Sequence, residues 1–135
     1  MSLRFVLWIK IVFTVFLCVP LLTFRKEWIH EAGIPGPEPV LFARLLGAAF
    51  LALLVGYIHG LLELNRGADI QDKDVQNVVR VGIVSNGLAC LILLWFAGEW
   101  MKWNNWAPLC LGISTFVTGV VALGLAITAR PKWRL

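Results

Sequence analysis

The sequence predicts an all-α integral membrane protein: one transmembrane domain spanning residues 1–135, built as a four-helix bundle that runs up-down-up-down with both termini on the cytoplasmic side. Composition is the first reason. Of 135 residues, 59% are apolar and only 15% charged, against about a quarter charged in an ordinary globular domain. Segregation of the charges is the second. The windows Phe5–Phe24, Val40–Leu62, Val78–Ala97 and Ala107–Ala129 contain Lys10, Arg44 and Arg80 as their whole share of Asp, Glu, Lys and Arg. Each is about as long as the ~20 residues that cross bilayer hydrocarbon at ~1.5 Å rise per residue. The connections of fifteen, fifteen and nine residues are the third reason, because they suit adjacent antiparallel helices. Together these observations exclude a soluble enzyme, a secreted disulfide scaffold and a disordered tail.

The first window reads as a retained helix, since it is too long for a signal peptide and no small-x-small site precedes Arg25-Lys26-Glu27. Loop one, Arg25–Pro39, holds Gly33-Ile34-Pro35-Gly36-Pro37-Glu38-Pro39, whose prolines forbid helix and impose a stiff extended connection. Loop two, Glu63–Asn77, is the most polar stretch; Asp72 or Asp74 is placed to cap a third helix that starts before its apolar window. Loop three, Gly98–Trp106, carries Trp100, Trp103 and Trp106, with Trp95 just before it and Pro108 opening the fourth span. These four tryptophans read as a belt at headgroup level.

Helices in lipid have no hydrophobic reason to associate, so small residues that let backbones approach are informative. The second span places Ala48, Ala52, Gly56 and Gly60 four apart, and the fourth places Ser114, Thr118, Ala122 and Ala126 in the same way. One of these stripes is expected to form a helix-helix seam, with a helix of this chain or of a neighbour. Orientation follows from Lys and Arg. Arg4, Lys10, Arg66, Lys73, Arg80, Arg130, Lys132 and Arg134 fall on one side, against Arg25, Lys26, Arg44 and Lys102 on the other. The richer side is expected to be cytoplasmic, in a bacterial inner membrane.

Polar groups at membrane depth are costly unless paired, so they are the places to look for chemistry. Lys10, Tyr57, His59, Glu63, Arg80 and Asn86 all fall in the expected cytoplasmic half. His59 and Glu63 share a helical face, close enough for the carboxylate to orient the imidazole, with Lys10 or Arg80 balancing the charge. Such a set reads either as a ligand-binding or proton-handling site, or as interfacial side chains snorkelling to the headgroups. Asn86 lies near mid-membrane and needs partners. Arg44, on the outer side, could pair with Glu38 or Glu31, or meet a lipid phosphate.

No cofactor or metal is expected. Cys18, Cys90 and Cys110 lie in apolar windows without CxxC or Cys/His spacing. His30 and His59 belong to opposite sides of the membrane, so they cannot readily bracket one haem iron. Nucleic acid is not expected as a partner: the net charge of +4 is scattered and forms no basic helix. The segment Ala43-Arg44-Leu45-Leu46-Gly47 in a short four-span chain resembles the DoxX-like group of small membrane proteins. That resemblance covers one helix and the general hydropathy, and implies no site residue. With no catalytic set, the expected function is a non-catalytic accessory subunit packing against lipids and other membrane subunits. The alternative is a binder, transporter or enzyme for a small hydrophobic ligand such as a lipid or quinone.

Overall fold

The computed structural model describes residues 2–31, 39–103 and 106–131. Their elements are all helices, with no strand among the described residues: α1 (Leu3–Thr23), α2 (Lys26–Glu31), α3 (Pro39–Asn65), α4 (Lys73–Trp95), α5 (Ala97–Trp100) and α6 (Ala107–Ala129). Four of them, α1, α3, α4 and α6, are long and apolar enough to cross a membrane.

Local chemistry accounts for the helix ends. Ser2 caps α1 by accepting from the Phe5 amide, and Asp72 caps α4 by accepting from the Asp74 amide. Thus α4 begins at Lys73, ahead of the apolar window that starts at Val78. Gly67, at φ +95°, turns the chain out of α3 through the left-handed region that glycine enters without a Cβ clash. Pro108 occupies the first turn of α6, where a missing amide hydrogen costs nothing. Two short helices, α2 and α5, lie where the sequence pattern predicts loops. In the first, α2 buries Ile29 and stacks Trp28 edge-on against Phe24. The prolines of the first connection between residues 33 and 38 lie outside the described residues.

The long helices pack as two close pairs, α1 with α3 and α4 with α6, joined by lighter contacts of α1 with α6 and of α3 with α4. Opposite ends meet within each pair. Arg4 at the start of α1 donates to the Leu64 carbonyl at the end of α3 (2.9 Å). Arg44 near the start of α3 donates to the carbonyls of Leu21 (2.6 Å) and Phe24 (2.7 Å) at the end of α1. Each arginine therefore reaches carbonyls in or just past the last turn of the neighbouring helix, where intrahelical amide partners run out; the Leu64 carbonyl also accepts from the Gly67 amide (3.2 Å). Arg44 makes these bonds in place of the ion pair expected with Glu31; Glu38 lies outside the described residues. Gln76 makes the corresponding link between α4 and α6, donating to the Ala129 carbonyl (3.5 Å) and to that of Ile70 (2.7 Å).

The core is lopsided. Leu3, Val6, Leu7 and Ile11 of α1 pack with Leu54, Tyr57, Leu61 and Leu64 of α3, Val75 and Val79 of α4, and Val121, Leu125 and Ala129 of α6. All belong to the end where α1 and α4 start and where α3 and α6 finish. From Gly87 to Glu99 no described residue is buried, and the same holds from Leu109 to Val117. At that far end Trp100 turns inward, with its indole nitrogen donating to the Leu93 carbonyl (2.7 Å). It leaves the expected belt, whose other members Trp95, Trp103 and Trp106 are exposed.

Close approach does not follow the two stripes. Ala48 and Ala52 are exposed, and a Cβ on Gly56 would meet nothing within 4 Å; of that stripe only Gly60 lies against another helix, facing Val78. On α6, Thr118 is buried, Ser114 and Ala122 are partly buried, and Ala126 is exposed. The contacts inside the chain run instead through Gly47 against Leu21 and Leu22, Gly82 against Leu125 and Tyr57, and Gly119 against Cys90. The α3 stripe thus points away from its own bundle and makes no intramolecular seam above Gly60.

Candidate functional site

At the inner limit of the packed half, three helices bring polar side chains together. Asn86 on α4 is 2% exposed. Its Nδ2 donates to the Gly82 carbonyl one turn back (2.7 Å) and to the Tyr57 hydroxyl across the α3–α4 contact (3.1 Å). Tyr57 is 1% exposed and its hydroxyl also lies 3.3 Å from Ser85 Oγ. Gly82 makes this possible: without a side chain, α4 lets the Tyr57 ring and Leu125 close over its backbone. The third contributor is Lys10 on α1, 4% exposed, whose ammonium lies 5.8 Å from the Tyr57 ring centroid and 6.0 Å from that of Phe13. These are cation-π distances. One turn on, Thr14 returns its hydroxyl to the Lys10 carbonyl (2.7 Å) and stays buried.

Of the six polar residues singled out from sequence, Lys10, Tyr57 and Asn86 converge in this way. His59 and Glu63 do not join them. His59 is on the exposed face of α3, and Glu63 pairs with Arg66 at the end of that helix (3.1 Å), not with Lys10. His59 and Glu63 do share a face, as their spacing requires, but it is turned away from Asn86. Arg80 is partly buried on α4, one turn and a half before Asn86. Gly82 and Thr14 were not anticipated. Gly82 was legible as the small residue one turn before a mid-membrane amide; Thr14 carried no such signal, since a threonine bonding its own helix is common in apolar spans.

Chemically the cluster has donors and acceptors but no nucleophile-base pair. Tyr57, Ser85 and Asn86 Nδ2 form a hydrogen-bonded chain ending on the Gly82 carbonyl, while Asn86 Oδ1 is buried and accepts from no described residue. Among the described residues no group of three His, Cys, Asp or Glu side chains could hold a metal ion. A shallow apolar groove on the outer side of α1 and α6 is lined by Trp8, Ile9, Val12, Phe13, Phe16 and Val117, and Phe13 separates it from Lys10. Comparison with known protein families, curated proteins and solved structures finds no match to this chain.

Proposed function

We propose that this chain is a non-catalytic accessory subunit of a larger membrane protein complex. In this reading α1, α3, α4 and α6 cross a bacterial cytoplasmic membrane up-down-up-down, with both termini on the cytoplasmic side. The observation that carries it is the outward stripe of Ala48, Ala52 and Gly56, where α3 offers a backbone that no other described helix closes over. In lipid, a face of small residues lets a second helix approach closely enough to gain dispersion contacts. Support for the orientation comes from the excess of Lys and Arg on the connections and ends at the side where α1 starts.

The test is purification in mild detergent followed by native mass spectrometry. Wild type is expected to carry stoichiometric companion chains, and Ala52→Leu to lose them while keeping its own melting temperature. A lone monomer for wild type sinks this reading. The second reading, a small hydrophobic-ligand protein, draws support from a different observation: the enclosed meeting of Lys10, Tyr57 and Asn86.

A further inference from the structure

Three cations meet at the corner where α1 ends, α2 begins and α3 starts. Arg44 of α3 reaches back to the carbonyls of Leu21 (2.6 Å) and Phe24 (2.7 Å). The second of these carbonyls belongs to the peptide bond that leads into Arg25, so the two arginines are gathered on one stretch of backbone. Lys26 follows as the first residue of α2. Both arginines are held in place. Arg44 is fixed by its two carbonyls, and the Arg25 guanidinium lies 5.9 Å from the centroid of the Trp28 ring. Trp28 is itself braced edge-on against Phe24, with ring centroids 5.2 Å apart.

Charge at this corner is not balanced from within. The ion pairs among the described residues join Glu63 to Arg66 and Glu99 to Lys102, and no described carboxylate pairs with Arg25, Lys26 or Arg44. Glu27 and Glu31 belong to the same short helix, but they share the face opposite Ile29, the residue that α2 buries. Donors remain open. Arg44 spends two N–H groups on carbonyls and keeps the rest, and the exposed side chains of Arg25 and Lys26 donate to no described residue. Beside them stand two exposed rings, Phe24 and Trp28, at the end of a helix long and apolar enough to cross a membrane.

Open cationic donors next to apolar rings match a ligand with an anionic head and an apolar body. A free anion would leave the rings unused, and an acyl chain alone would leave the cations unused. Three cations also disfavour a zwitterionic head, whose ammonium they repel. We propose that Arg25, Lys26 and Arg44 bind the phosphate of one phospholipid of net negative charge, with its glycerol and upper acyl chains against Phe24 and Trp28. This site requires no companion chain.

The test is native mass spectrometry of the full chain in detergent, titrated with palmitoyl-oleoyl phosphatidylglycerol. Wild type should retain one such lipid, more tightly than the matching phosphatidylcholine. Arg25→Gln and Lys26→Gln should each weaken retention about fivefold, the contribution of one basic residue at an anionic lipid surface. Lys102→Gln, at the same end but in the third connection, should leave it unchanged. Equal weakening by Lys102→Gln would reduce the effect to diffuse charge and overturn the site, as would undiminished retention by both corner variants. Equal retention of the two lipids would overturn the need for an anionic head. Should Arg25→Gln melt below wild type, Lys26→Gln decides alone, because that side chain makes no hydrogen bond or ion pair among the described residues. Inorganic phosphate raising the wild-type melting temperature as much as phosphatidylglycerol does would make this a free-anion site and overturn the lipid assignment.

Discussion

At the scale of single residues, the arginines show how a membrane helix can use a charge without exposing it to hydrocarbon. Arg44 spends two of its donors on the carbonyls of Leu21 and Phe24, and Arg4 spends one on Leu64. Bonds from a charged donor contribute about 1.5 to 3 kcal/mol when buried, less here because the Phe24 bond is exposed. Arg44→Met is therefore expected to cost about 1 to 3 kcal/mol, read as a lowered melting temperature in detergent. An unchanged melting temperature would mean that water serves those carbonyls equally well. Tyr57→Phe isolates the core hydroxyl, leaving the ring over Gly82 and removing the group that Asn86 and Ser85 reach. Side-chain hydrogen bonds between membrane helices contribute about 0.6 kcal/mol on average and under about 2, so a small, measurable loss is expected.

Among the elements, the four long helices were readable because hydropathy over ~20 residues needs no knowledge of tertiary structure. The fourth window coincides with α6, and the cap at Asp72 was visible as a polar residue ahead of an apolar run. The short helices α2 and α5, of six and four residues, were not readable: they complete barely one turn and so show no period. The stripes misled for a different reason. Four-residue spacing defines a helix face but not the direction in which it points, and Ala48, Ala52 and Gly56 share a face that looks outward. The same ambiguity divided the polar set, with Tyr57 turned inward and His59 outward on one helix. Glycines separate the two directions experimentally. A Cβ on Gly60 would come within 2.9 Å of Val78 Cγ1, so Gly60→Leu should destabilise by about 1 to 3 kcal/mol through overpacking. A Cβ on Gly56 would meet nothing within 4 Å, so Gly56→Leu should leave the melting temperature of the isolated chain unchanged while abolishing assembly with a partner. Equal destabilisation of the isolated chain by both would place Gly56 in an intramolecular seam.

For the molecule as a whole, pairing opposite helix ends gathers Arg4, Arg66, Lys73 and Arg130 at one end, and Arg25, Lys26, Arg44 and Lys102 at the other. The end with the close-packed core is also the one that the charge rule assigns to the cytoplasm. Four crossings in alternating directions underlie everything proposed here, from the outward face of α3 to the depth of Asn86. Labelling of single cysteines with a membrane-impermeant maleimide in sealed vesicles tests them most directly, after Cys18, Cys90 and Cys110 have been replaced. A cysteine in place of Gln71 should react from the cytoplasmic side alone, and cysteines in place of Lys26 and Lys102 from the opposite side alone. Reaction of all three positions from the same side would contradict the four alternating crossings.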